Sequence, residues 1–210
     1  METGKNVSIV EMADRILPVQ LDKTAAKEYQ KRFESAGAKF YLGRKAAETK
    51  MDENGKITTV ILDNGEELKS DLIIVAAGVR SATAGFETEE IIVDRGMKVD
   101  EFMQTGAKDV YAAGDVTGLS GIWPNAQKQG ETAALNMMGG RVPYTDRFAA
   151  KNTINFFGLN SLCVGIELQP KETDVVIARE DASNYKRVII RDGKVAGVLL
   201  QGDISHAGIW

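Results

Sequence analysis

The sequence has very few of the residues that build disulfides and metal centres. Its 210 residues include one cysteine, Cys163, and one histidine, His206. A single cysteine forms no internal disulfide, and zinc sites need several cysteine or histidine ligands. A lone histidine also leaves little basis for a Ser-His-Asp mechanism. The sequence therefore predicts no metal site, and it identifies no catalytic residue.

Long hydrophobic runs and an excess of positive charge are also missing. The chain has 26 Lys and Arg against 30 Asp and Glu, a formal net charge of −4. This balance provides no basic surface for nucleic acid or anionic lipid. The longest apolar runs, Leu72–Val79 and Val195–Leu200, have the length of strands and not of membrane-spanning helices. We expect a cytoplasmic globular protein without nucleic-acid or membrane partners, and an oligomer is compatible with the sequence.

The first part of the chain has the pattern of a strand, a helix and a second strand. A β-branched run ends at Glu11, as the second strand of a Rossmann unit usually ends in an acid. Asp22 can cap an amphipathic helix that Gly37 closes, and Lys39–Leu42 then has strand character. If the helix is a crossover, the two strands are parallel.

The next region changes to an alternating pattern. Asn54-Gly55 and Asn64-Gly65 are turn signals, which predict an antiparallel meander of about three strands. Leu72–Val75 is fully apolar and predicts a buried strand that leads to Gly78, where the backbone can approach another group closely.

The third region mixes short strands with one helix. We expect short strands at Glu90–Val93 and around Met97–Val99, and a buried strand that ends in Gly114-Asp115. A small-residue helix follows from about Asn125 to Met138. Beyond it the sequence is β-rich, with Asp192-Gly193 as a strong hairpin turn, which predicts a small separate domain.

The strongest motif is TGAKDVYAAGDV, residues 105–116. Together with AAGVR about thirty residues earlier and IWPNAQKQGETAALNMMG after it, this run resembles the second flavin signature of the pyridine nucleotide-disulfide oxidoreductase superfamily. The segment GIWPNAQKQGETAALNMMGG and the residues after 146 resemble NADH-rubredoxin reductases and the large subunit of nitrite reductases. The chain has Ser81-Ala82 where the usual family form has Pro-Asn.

The resemblance covers essentially the whole chain and implies an α/β fold. It implies incomplete Rossmann-type sheets for FAD and NAD(P) with an antiparallel meander, plus a small β-rich α+β C-terminal domain. Residues 1–79 correspond to the C-terminal part of the NAD-binding domain and 80–146 to that of the FAD-binding domain. Residues 147–210 correspond to the small C-terminal domain, which need not be complete. Neither glycine-rich phosphate loop is in the sequence, so we expect the chain to begin inside the NAD-binding domain.

The resemblance also implies cofactor-binding residues. In the family, the aspartate of the flavin signature accepts a hydrogen bond from the ribityl chain of FAD, which assigns Gly114 and Asp115 to that site. The helix opening at Asn125 and Ala126 would face the flavin, and Gly78 would lie near the cofactors. Glu11 would take the ribose hydroxyls of NADH.

Each assignment has a plainer alternative. A Gly-Asp pair after a strand is often a simple turn. A strand-terminal acid such as Glu11 is often a cap of the following loop. Trp123 would lie near the flavin ring, or else pack as a core or interface aromatic, and Cys163 is interpreted as a small buried hydrophobe.

The family resemblance implies the function of a complete protein. That protein would pass a hydride from NADH to FAD and electrons to an acceptor such as rubredoxin or a nitrite-reducing centre. We expect the 210 residues alone to be inactive, because pyrophosphate binding needs the glycine loops. The alternative is a cofactor-free binding or assembly module that docks through its C-terminal domain.

Overall fold

The chain begins with the expected β-α-β unit. The computed structural model describes residues 4–146, 150–165 and 169–209, and in it strand β1 (Ser8–Glu11) pairs in parallel with β2 (Lys39–Leu42). Helix α1 (Lys23–Ser35) connects the two strands. The Asp22 carboxylate accepts the backbone N–H of Ala25 at 3.0 Å and caps this helix. The predicted cap and the predicted parallel pairing are both confirmed.

The meander is also confirmed as a separate three-stranded sheet. Strands β3 (Ala46–Met51), β4 (Ile57–Leu62) and β5 (Glu67–Lys69) lie in sequence order and pair antiparallel. Gly55 and Gly65 adopt φ angles of 77° and 84° in the two turns. Such angles favour glycine, which is why Asn-Gly is a reliable turn signal.

The predicted buried strand over Leu72–Val75 is wrong for the described chain. The segment forms no strand, and the side chains of Leu72, Ile74 and Val75 are 76%, 80% and 82% exposed. A parallel strand of this apolar kind becomes buried when strands flank it and helices cover both faces. The described residues provide no such neighbours, so the segment stays exposed.

The strands predicted between Glu90 and Asp115 are also wrong for the described chain. Isolated bridges between Val93 and Met97 and between Gln104 and Tyr111 replace them. The segment that leads to Gly114 is nevertheless packed, since Ala112 is buried and donates its N–H to the Met103 carbonyl at 3.0 Å.

Helix α2 spans Trp123–Met137 and begins two residues before the predicted start. Pro124 lies in its first turn, where the missing N–H costs nothing. At the other end, the Asn136 side chain accepts the Val142 N–H at 2.8 Å and donates to the Phe102 carbonyl at 2.9 Å. These bonds tie the segment that leaves the helix back onto the preceding region.

The remainder forms one five-stranded antiparallel sheet, called here the C-terminal sheet. Its spatial order is β6-β7-β10-β9-β8. The strands are β6 (Ala150–Phe156), β7 (Leu159–Gly165), β8 (Val175–Glu180), β9 (Tyr185–Arg191) and β10 (Lys194–Gln201). Asp192 and Gly193 have φ angles of 51° and 70°, which confirms the predicted hairpin turn between β9 and β10. A short 3-10 turn, Ala207–Ile209, follows the sheet.

Helix α1 packs on the C-terminal sheet, although more than a hundred residues separate them. Tyr29 is fully buried, and its hydroxyl donates to the Leu159 carbonyl at 2.8 Å. The Gln201 side chain donates to the Ala25 carbonyl at 3.0 Å. The shared core consists of Ile16, Leu21, Ala25, Ala26, Tyr29, Leu159, Cys163, Tyr185 and Leu199.

Polar contacts reinforce this packing. The second oxygen of the Asp22 carboxylate accepts the Tyr185 hydroxyl and lies 3.5 Å from Nε of Arg187. Cys163 is fully buried in the shared core, and burial raises the pKa of its thiol, as suits a small buried hydrophobe.

No helix among the described residues combines the length and apolar character needed to cross a membrane.

Candidate functional site

The predicted Gly114-Asp115 pair begins a tight turn, called here the Gly-Asp turn, which spans Gly114–Thr117 as one 3-10 turn. Gly114 has a φ of 81°, a conformation that side-chain-bearing residues rarely adopt. A Cβ at this position would lie 3.5 Å from the Cβ of Ala126. Gly114 is therefore required for the backbone angle, and it places the turn against the first turns of α2.

A fully buried glutamine side chain holds this turn against the helix. Oε1 of Gln129, on α2, accepts the Gly114 N–H at 2.8 Å and lies 3.2 Å from the Thr117 hydroxyl. The Thr117 hydroxyl also lies 2.8 Å from the Gly114 carbonyl oxygen. Since the Gly114 N–H is buried, Gln129 supplies the partner that this donor needs.

The carboxylate of Asp115 faces solvent. Its side chain is exposed, and among the described residues the side-chain bond made to Asp115 goes to its backbone and not to this carboxylate. The backbone carbonyl of Asp115, in contrast, accepts the Ser81 hydroxyl at 2.6 Å and the Gly118 N–H at 3.1 Å. The turn is thus fixed through its backbone while its charged group stays available to a ligand.

The opening of α2 lies beside the Gly-Asp turn. In the described chain no side chain caps its first residues, and its first turn contains no acidic residue. The positive end of the helix dipole is therefore not neutralised by a carboxylate within its own first turn. Trp123 at this opening is 91% exposed, so its reading as a core aromatic is wrong for the described chain.

Asn125, the third residue of the helix, is only 1% exposed. Its side-chain amide donates to the Ser120 hydroxyl at 3.1 Å, and its Oδ1 accepts from the Lys151 ammonium at 3.2 Å. Lys151 and Lys128 both bind Oδ2 of Asp146, at 2.5 and 2.6 Å. Burial raises the pKa of Asp146, but the two ammonium groups outweigh it and hold the pKa below its usual value.

The other two predicted residues lie apart from this cluster. Glu11 is at the carboxyl end of β1 in the two-stranded sheet, and its Oε1 accepts the Ala13 N–H at 2.8 Å. Glu11 therefore caps the loop that follows β1, as expected from the alternative in which it is a structural residue. Gly78 has a φ of 84° in the exposed segment, three residues before the Ser81 tether to Asp115. The structure thus brings together the Gly-Asp turn and the opening of α2, and with them Gly114, Asp115, Asn125 and Ala126. Gly78 is connected to this cluster through Ser81. Glu11 lies apart from it, in the two-stranded sheet.

Sequence reasoning missed Gln129, Ser81 and Lys151. A signal for Gln129 exists, because the buried face of α2 carries polar residues at helical spacing: Asn125, Gln129, Thr132 and Asn136. A polar stripe that faces inward predicts a bonded network in place of an apolar core. Ser81 and Lys151 have no comparable signal, since their partners are distant in sequence.

Comparison with known proteins identifies relatives for residues 1–130 and for residues 151–209. Residues 1–130 match the family model described as pyridine nucleotide-disulphide oxidoreductase, and residues 151–209 match the rubredoxin NAD⁺ reductase C-terminal domain. The chain is 29% identical over its full length to subunit epsilon of the NADH-dependent phenylglyoxylate dehydrogenase of Aromatoleum evansii, covering 52% of that protein. It is 30% identical to the assimilatory nitrate reductase electron transfer subunit of Bacillus subtilis, over 95% of this chain and 26% of that protein.

A solved structure shows the same fold. A ferredoxin reductase from Rhodopseudomonas palustris aligns with a TM-score of 0.82 at 20% sequence identity, over 99% of this chain and 53% of that one. The expected α/β fold with a β-rich C-terminal domain is confirmed. The chain spans about half or less of the length of these relatives.

The buried Gln129 bond gives a first prediction. In Gln129→Leu, the Gly114 N–H keeps its burial but loses its acceptor, so the free energy of unfolding of the 210-residue chain should fall by about 1–3 kcal/mol. Urea denaturation measures this change. Gln127→Leu, an exposed position on the same helix, should change it by less than about 0.5 kcal/mol. Equal effects of the two variants would show that the Gln129 bond does not stabilise the turn.

Proposed function

The chain belongs to the pyridine nucleotide-disulphide oxidoreductase family, and on that premise we propose that it is part of an FAD-dependent NADH oxidoreductase. The observation that carries the proposal is the Gly-Asp turn, fixed against the opening of α2 with its carboxylate free. We assign residues 1–79, 80–146 and 147–210 to the NAD-binding, FAD-binding and C-terminal domains, and we place the protein in the cytoplasm.

The residues at this turn fit FAD. Asp115 can accept a ribityl hydroxyl, because its carboxylate has no hydrogen-bond donor within the described chain. The positive φ of Gly114 leaves no side chain between the backbone and the ligand. Asn125 and Ala126 lie in the first turn of α2, whose positive end favours negative charge. When bound, FAD supplies the hydride acceptor and releases electrons.

We assign the NADH contact to Glu11 at the end of β1. Glu11 is the last residue of β1, and an acid at the end of the second strand of a Rossmann unit binds ribose hydroxyls in dinucleotide sites. One carboxylate oxygen is used to cap the Ala13 N–H, which orients the side chain. The negative charge would repel a 2′-phosphate, so the coenzyme should be NADH. Gly78 would let the backbone of the adjoining segment approach the cofactors.

We propose a small redox protein as the electron acceptor. The match of residues 151–209 to the rubredoxin reductase C-terminal domain supports an acceptor of the rubredoxin kind. The similarity to a nitrate reductase electron transfer subunit supports a nitrate- or nitrite-reducing centre instead. Both acceptors take electrons from a reduced flavin, so the choice between them does not alter the proposed roles of the residues.

Asp115 provides the test of this function. In the intact protein that contains this chain, Asp115→Ala should weaken FAD binding about ten- to hundredfold, because a charged hydrogen bond of roughly 1.5–3 kcal/mol is lost. Fluorescence titration of the apoprotein with FAD measures the affinity. Glu131→Ala, at an exposed position further along α2, serves as the matched control and should bind FAD like the wild type.

Two outcomes would contradict the proposal. Wild-type FAD affinity in Asp115→Ala would make Asp115 an ordinary turn residue. An intact wild-type protein that takes up no FAD would favour the cofactor-free module.

Glu11 provides a separate test of coenzyme choice. Glu11→Gln keeps an oxygen that can cap the Ala13 N–H but removes the charge, so the preference for NADH over NADPH should fall by about tenfold without loss of folding. The ratio of kcat/KM for the two coenzymes measures the preference, and thermal unfolding checks the fold. Asp14→Asn, an exposed neighbour, is the control. An unchanged ratio in Glu11→Gln would remove Glu11 from the coenzyme site.

A further inference from the structure

Lys151 connects the C-terminal sheet to the opening of α2. It is the second residue of β6, and its ammonium lies 3.2 Å from Oδ1 of Asn125 and 2.5 Å from Oδ2 of Asp146. Its side chain is 29% exposed, and Asn125 is buried. The ammonium is therefore held between two acceptors at the edge of the proposed flavin site.

Lys128 provides an internal comparison. It binds the same Asp146 oxygen at 2.6 Å, but its side chain is 55% exposed. Two ammonium groups share one carboxylate, so the cluster carries a formal net charge of +1. The two lysines thus contribute equal charge. Lys128 lies in the second turn of α2, whereas the Lys151 ammonium binds the Asn125 side chain in the first turn.

Asn125 transmits this contact to the backbone of the helix opening. Its side chain lies between Ser120, which precedes α2, and Lys151, which follows it, and its own N–H lies in the first turn. The next residue, Ala126, is the neighbour that a Cβ on Gly114 would meet, at 3.5 Å. Changes at Lys151 therefore reach the residues that face the proposed flavin.

We propose that Lys151 is a positioning residue of the flavin site, which fixes Asn125 and adds positive charge at the opening of α2, so that reduced FAD is bound more tightly relative to oxidised FAD. This inference rests on the proposed function. Reduction of a flavin places negative charge on its ring, and both the positive end of a helix and a nearby cation stabilise such a charge. The C-terminal domain would thereby set part of the redox property of a cofactor that the preceding domains bind.

The test compares Lys151→Met with Lys128→Met in the intact, FAD-loaded protein. The ratio of the affinities for reduced and oxidised FAD is obtained from the flavin midpoint potential of the bound and free cofactor. Lys151→Met should lower this ratio by about three- to tenfold, the range expected for a charge near a partly buried helix end. Lys128→Met should change the ratio less than about twofold. Lys151→Arg, which keeps the positive charge, should show at most half of the loss that Lys151→Met causes in the logarithm of the ratio.

Each outcome decides the question. Equal effects of the two methionine variants would mean that Lys151 acts through net charge alone, and an unchanged ratio in Lys151→Met would mean that it is structural. Either result overturns this inference while leaving FAD binding, and with it the proposed function, intact. A wild-type protein that binds no FAD would overturn both. Should Lys151→Met fail to fold, Lys151→Gln, which keeps a donor for Asn125 without the charge, should lower the ratio in the same direction.

Discussion

The bond between the Gln129 side chain and the Gly114 backbone is the contact on which the candidate site depends. The segment that leads to Gly114 belongs to no strand ladder among the described residues, so no neighbouring strand fixes its position. Gln129 takes over that role, because its carbonyl oxygen satisfies the buried Gly114 N–H at 2.8 Å. Together with the Ser81 hydroxyl, which donates to the Asp115 carbonyl at 2.6 Å, this bond holds the Gly-Asp turn in place.

A second constraint joins distant parts of the chain into one core. Helix α1 and the C-terminal sheet share a core that includes Tyr29, Cys163 and Leu199, and Asp22 serves both as the cap of α1 and as the acceptor for Tyr185. Lys151 makes an equivalent link from the same sheet to α2. The C-terminal sheet is therefore in contact with both α1 and α2.

The sequence predicted those parts of the structure that have local causes. The Asp22 cap, the Asn-Gly turns and the Asp192-Gly193 hairpin depend on residues within a few positions of one another, and all are confirmed. The family resemblance assigns Gly114 and Asp115, and the structure holds Gly114 against α2 through the Gln129 side chain.

The parts that the sequence did not predict depend on distant partners. Leu72–Val75 has the composition of a buried strand, but burial requires neighbouring strands that the described residues do not supply. Lys151 meets Asn125 across 26 positions, and Ser81 meets Asp115 across 34, so no short motif reports either contact. The role of Gln129 depends on which face of α2 is buried. The row of polar residues on this helix indicates a hydrogen-bonded network only when that face is known to be buried.

We propose that the Gly-Asp turn and the opening of α2 contact FAD in the intact protein. Amide hydrogen exchange, measured by mass spectrometry on the intact apoprotein with and without added FAD, tests it directly. FAD should slow exchange in peptides that cover Gly114–Ala126 and leave the β9–β10 hairpin at its apoprotein rate. Protection by FAD elsewhere in the protein, with unchanged exchange across Gly114–Ala126, would contradict it.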